Sequence, residues 1–120
     1  MAELTPASVM STLAKIGREI DDTTEKLKLA DWEEREARRT YRRAYAVSIL
    51  ANKIDESGKP YTVNEREAIA YLATEEEQHL LDVAEYNLQS TKDELKALRD
   101  RLEIGRSMSP IMRMEFTGQN

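Results

Sequence analysis

Along the first part of the chain, small or apolar side chains return at alternating steps of four and three. The series is Val9, Leu13, Ile16, Ile20, Thr23, Leu27, Ala30, Glu34, Ala37, Tyr41, Ala44 and Ser48. That spacing marks one face of a helix that pairs with another along a heptad seam. Thr5 followed by Pro6 predicts its start, because the hydroxyl can accept an orphan backbone hydrogen bond and proline is tolerated in the first helical turn. No proline follows until Pro60. Gly17 alone weakens the run, by roughly 1 kcal/mol relative to alanine. The pattern predicts a helix over residues 6–55, roughly 75 Å long at 1.5 Å per residue. An element of that length needs a partner along its side.

Glu56-Ser57-Gly58-Lys59-Pro60 reads as a stop, so a turn is expected over 56–63. Two overlapping start signals follow, Thr62 with Glu65 and Asn64 with Glu67, each placing a carboxylate three residues after a capping side chain. A second helix over 64–104 is predicted from Leu81, Ala84, Leu88, Thr91, Leu95, Leu98 and Leu102, with Ile69, Leu72, Leu80 and Val83 widening its apolar face near the turn. Gly105 reads as a left-handed terminator, and Ser109-Pro110 as the start of a short further helix within 105–120.

Helices joined by a short loop pack antiparallel, yet two helices alone enclose little core. The expected architecture is therefore all-α: a single domain, 1–120, forming a long antiparallel helical hairpin with a short C-terminal helix and assembling into a homo-oligomer. Met108, Ile111, Met112, Met114 and Phe116 are too many large apolar groups for a solvated tail, and they are the expected oligomerisation contacts.

Composition agrees with long charged helices: 40% hydrophobic, 34% charged and 6% aromatic residues in a chain of 120. The absence of cysteine excludes disulfides and thiolate chemistry and points to the cytoplasm. Neither a secretory signal nor a membrane span is predicted. The net charge of -5 hides an uneven distribution: residues 35–60 hold 7 basic and 3 acidic groups, whereas residues 61–88 hold 1 and 7. A basic island sits inside an acidic protein.

That island carries the candidate chemistry. Arg35, Arg38, Arg39, Arg42 and Arg43 fall at i, i+3, i+4, i+7 and i+8, on one stripe of the helix. Five guanidiniums on one face repel one another unless anions compensate them. Phosphates suit, since the planar fork of arginine binds them bidentately, and Trp32, Tyr41 and Tyr45 offer rings on which unpaired bases can stack. The competing reading is internal: folding about the turn sets Glu75, Glu76 and Glu77 opposite Arg42 and Arg43, where ion pairs would serve register. Nothing points to an enzyme, a cofactor or a metal site. His79 is the only histidine, and no phosphate-binding glycine loop or nucleophile motif is present.

The order of features from Trp32 onward resembles the UvsY-like recombination mediators of tailed phages. The resemblance rests on the basic, tyrosine-bearing stretch Ala37-Arg38-Arg39-Thr40-Tyr41-Arg42-Arg43-Ala44-Tyr45 and the glycine-containing turn after it. A second long helix ending Asp93-Glu94-Leu95-Lys96-Ala97-Leu98-Arg99-Asp100-Arg101 and the terminal piece from Gly105 to Phe116 complete it. It implies a small helical oligomer in the host cytoplasm that binds single-stranded DNA and helps a RecA-like recombinase replace single-strand-binding protein, with no catalysis of its own. The resemblance implies strand contacts at Arg38, Arg39, Arg42 and Arg43, and oligomerisation through Ile111, Met112, Met114 and Phe116. Two further classes stay open: a coiled-coil adaptor whose arginines only pair with its own glutamates, and a small phage inhibitor that binds a host protein.

Overall fold

The computed structural model describes residues 5–118, with side chains through Met108. Among the described residues the chain is all-helical: α1 (Pro6–Ala51), α2 (Val63–Ala73) and α3 (Glu75–Gly118). Contacts group it into two units, one joining residues up to Lys28 with those from Gln89 onward, the other running from Leu29 to Leu88.

The start of α1 is as the sequence predicts. Ser8 N–H donates to Thr5 Oγ1 at 3.0 Å, and Thr5 N–H donates back to Ser8 Oγ at 2.9 Å. Its end comes earlier than expected, at Ala51, because Asn52 closes the last turn: its N–H and its side-chain amide both donate to the Ser48 carbonyl, at 3.1 and 2.9 Å. The next residues go instead into a tight antiparallel turn, with Asp55 N–H on the Lys59 carbonyl, Tyr61 N–H on the Lys53 carbonyl and a bridge between Ile54 and Pro60. Gly58 supplies the left-handed residue this turn needs, at φ 86°. Asp55 Oδ1 accepts from Ser57 N–H, the Ser57 hydroxyl and Lys59 N–H. The Ser57 hydroxyl, ahead of the backbone donors, lowers the Asp55 carboxyl below its ordinary range. A lowered pKa means stabilisation present at neutral pH and lost as pH falls through that value.

Of the two overlapping start signals after the turn, the chain uses the first. Thr62 Oγ1 accepts from Glu65 N–H at 3.1 Å while the Glu65 carboxylate accepts from Thr62 N–H at 3.3 Å. The single helix expected over 64–104 is interrupted at Thr74. There the Thr74 hydroxyl takes the Ala70 carbonyl at 2.7 Å, and the Gln78 amide reaches back to the Tyr71 carbonyl at 3.0 Å. Side-chain donors thus satisfy carbonyls where the helix is broken, the usual cause of a bend at a hydroxyl residue.

The helix expected to stop at Gly105 continues to Gly118, so no separate C-terminal helix begins at Pro110. Gly105 keeps a negative φ and lies against the Leu13 side chain, which a Cβ at that position would strike. Its missing side chain serves a close approach of α3 to α1, not a left-handed stop. Gly17, in contrast, has nothing near its missing Cβ. Gly17→Ala should therefore raise stability by about 0.5–1 kcal/mol through helix propensity alone, read as a higher melting temperature; a fall would place a neighbour against that site.

In the unit holding both chain ends, Thr23, Leu95 and Leu98 are buried, and Val9, Leu13, Ile16 and Ile20 are half-buried. In the unit holding the turn, Ala30, Glu34, Ser48, Ala70 and Thr74 are buried, with Ala37, Tyr41, Ala44, Leu81, Ala84 and Leu88 half-buried beside them. The predicted seams of both long helices are thus turned inward. Leu72, Leu80 and Val83, expected to widen the inner face, are exposed instead.

Candidate nucleic-acid interface

The arginine stripe lies wholly in the turn unit, and the structure divides it. Arg38 is half-buried and committed to protein. Its Nε donates to Glu34 Oε1 at 2.9 Å, its Nη2 pairs with the same oxygen, and Nη2 also reaches Glu85 Oε1 on α3 at 3.0 Å. Glu34 is 8% exposed and occupies the seam, so its charge needs this partner. The Glu34 hydrogen bond first, then its charge, raises the Arg38 pKa further, and the guanidinium stays ionised throughout.

The other four arginines are exposed. Arg35 pairs with Asp31 at 3.2 Å and Arg39 with Glu36 at 3.1 Å, both along the same helix and open to water. Such pairs hold a side chain weakly, at under about 1 kcal/mol. Arg42 and Arg43 have no acidic partner among the described residues. The expected pairing of Arg42 and Arg43 with Glu75, Glu76 and Glu77 is not formed. Register explains this: Arg38 meets Glu85, which carries the glutamate run past Arg42 toward the turn end of α1.

The tyrosines hold a different position from the exposed arginines. Tyr41 and Tyr45 are half-buried, with ring centroids 6.1 Å apart and planes tilted by 46°. Tyr41 is itself a seam position, so its ring is partly used in packing. Trp32, 60% exposed, is the ring that stands free near the stripe, seven residues before Arg39. One cation escaped the sequence reading. Arg66 of α2 lines a shallow cavity of about 290 Å³ with Tyr45, Ile49, Val63 and Glu67, and its Nε is buried without a hydrogen-bond partner among the described residues. Only the turn's register, invisible in one-dimensional spacing, brings it beside Tyr45.

Of the expected oligomerisation contacts, Met108 is exposed and borders an apolar groove with Val9, Leu13, Ile16, Ile104 and Gly105. Ile111, Met112, Met114 and Phe116 lie on the helical backbone of α3, and their side chains are outside the described residues. His79 is exposed, and no three His, Cys, Asp or Glu side chains among the described residues converge as a metal site would require. No described helix is long and apolar enough to cross a membrane. No family model, curated protein or solved structure matches the chain.

Proposed function

We propose that this chain binds single-stranded DNA through the exposed arc Arg35, Arg39, Arg42 and Arg43. In this reading it acts without catalysis as a recombination mediator, a cytoplasmic helical-hairpin oligomer that helps a RecA-like recombinase displace single-strand-binding protein. The observation that supports the reading is that Arg42 and Arg43 are left without acidic partners while Glu75, Glu76 and Glu77 lie out of register with them. Cations held in water on a rigid helix, at helical spacing, suit a phosphate backbone that passes along the surface. Arg38 contributes to the field but is held by Glu34 and Glu85, so its part is to fix the register that presents the others. Ile111, Met112, Met114 and Phe116, with Met108, remain the proposed assembly contacts.

Titration of the full chain with a single-stranded oligonucleotide at two salt concentrations tests the reading. Phosphate neutralisation predicts a steep loss of affinity with salt, with a slope of about 0.7 per phosphate contact. Binding that is absent at low salt, or indifferent to salt, sinks it. The adaptor reading is favoured by one observation of its own, the large apolar side chains that both long helices turn outward.

A further inference from the structure

The inner seam of the turn unit uses one face of each helix, yet both helices carry a second apolar row on the face turned away. On α1, Trp32, Glu36, Arg39, Arg43, Val47 and Leu50 follow at steps of three and four, which places them along one stripe. Val47 is 58% exposed and Leu50 65%. On α3, Glu76, His79, Val83 and Tyr86 follow in the same way, with Leu80 beside them, and Tyr86 is 73% exposed. Val47 with Leu50, and Leu80 with Val83 and Tyr86, are exposed apolar groups on neighbouring turns, and such groups mark a surface that something covers.

The charges interleaved with these rows say what. In the α1 row Arg39 is already paired with Glu36 of the same row, and Arg43 has no acidic partner among the described residues. The α3 row carries Glu76, flanked by Glu75, and neither has a basic partner among them. Two α3 rows facing each other would set glutamate against glutamate. An α1 row against an α3 row matches apolar to apolar and the unpaired Arg43 to the unpaired Glu76, and every copy of the chain carries one of each.

We infer that the occupant of each row is a second copy of this chain, docked through the complementary row. The contact is heterologous, with the α1 row of one copy on the α3 row of the next. It is distinct from the C-terminal assembly contacts but shares Arg39 and Arg43 with the proposed DNA-binding arc, so a docked copy leaves Arg35 and Arg42 open to a strand. An anionic polymer does not cover the α3 row, whose own charges repel it.

The test is sedimentation of the full-length chain across a concentration range, without nucleic acid. Wild-type mass should rise with concentration. Val47→Asp and Val83→Asp, at exposed positions that spare the helical circular dichroism, should each weaken association about tenfold or more. An equal mixture of the two variants should regain mass above either alone, because the Val83→Asp chain keeps an intact α1 row and the Val47→Asp chain an intact α3 row. Tyr86→Lys serves as a second α3 variant should Val83→Asp lose helicity, and it sets a cation against Arg39 and Arg43. A wild-type chain monomeric at every concentration overturns the inference, as does an unchanged mass in both α3 variants or a mixture that fails to complement. A chain that binds oligonucleotide yet stays monomeric would remove this interface and leave the DNA reading intact; the reverse result would do the opposite.

Discussion

Replacing Arg35, Arg39, Arg42 and Arg43 together by glutamine should lower single-stranded DNA affinity on the order of 100-fold at low salt, and shrink the salt slope by about 3 if all four contact phosphates. Glutamine keeps helix propensity close to that of arginine, and the pairs given up, Arg35 with Asp31 and Arg39 with Glu36, are exposed along one helix. The fold should therefore melt near its wild-type temperature. A short oligonucleotide that spans one subunit keeps avidity out of the comparison. Arg38→Gln is the informative contrast. It strands Glu34, 8% exposed, without its guanidinium, so it should lower the melting temperature while changing oligonucleotide affinity far less. Undiminished binding by the fourfold variant would remove the reason for placing this protein on DNA and favour the adaptor reading.

The second large effect is on stability. Leu98 and Leu95 are each 5% exposed, the most deeply buried large apolar side chains of the described residues. Leu98→Ala deletes buried methyl groups and leaves a cavity, at a cost of about 2–5 kcal/mol. Against a total stability of about 5–15 kcal/mol for a domain, this should bring the melting temperature down by roughly 10 °C or more. Met10→Ala, at a position 56% exposed, should change it by under about 0.5 kcal/mol. Equal losses for the two variants would contradict the burial described above.

The inner seams were legible because burial repeats at the helical period, so every third or fourth residue from Val9 to Ser48 carries the same instruction. The capping signals at Thr5 and Thr62 were legible for a local reason: each joins residues three apart. What spacing alone misread was set by contacts between elements. Gly105 has the composition of a helix stop, but Leu13, far away in sequence, gives it a packing role. The end of α1 depends on competition between continued helix and the Asp55 to Lys59 turn. Whether Arg42 meets Glu76 or Arg38 meets Glu85 is fixed by a register that the turn and the small residues Ala70, Ala84 and Ser48 decide together. Tyr41 stood in the seam series from the outset, and that membership was the available sign that its ring would be only half free.

The division of contacts between the two units also orders events in time. Asp55 meets Lys59 after closing a very short loop, and Arg38 meets Glu85 across a moderate one, whereas Leu13 finds Gly105 only after nearly the whole chain is gathered. Loop-closure entropy rises with the length enclosed, so the short closures come first and make the later ones intramolecular neighbours. The turn unit should therefore form before the unit of the chain ends, an expectation that the folding rates of point variants check. Substitutions such as Ala70→Gly, inside the turn unit, should act mainly on the rate of folding, and those at Leu95 or Leu98 mainly on the rate of unfolding.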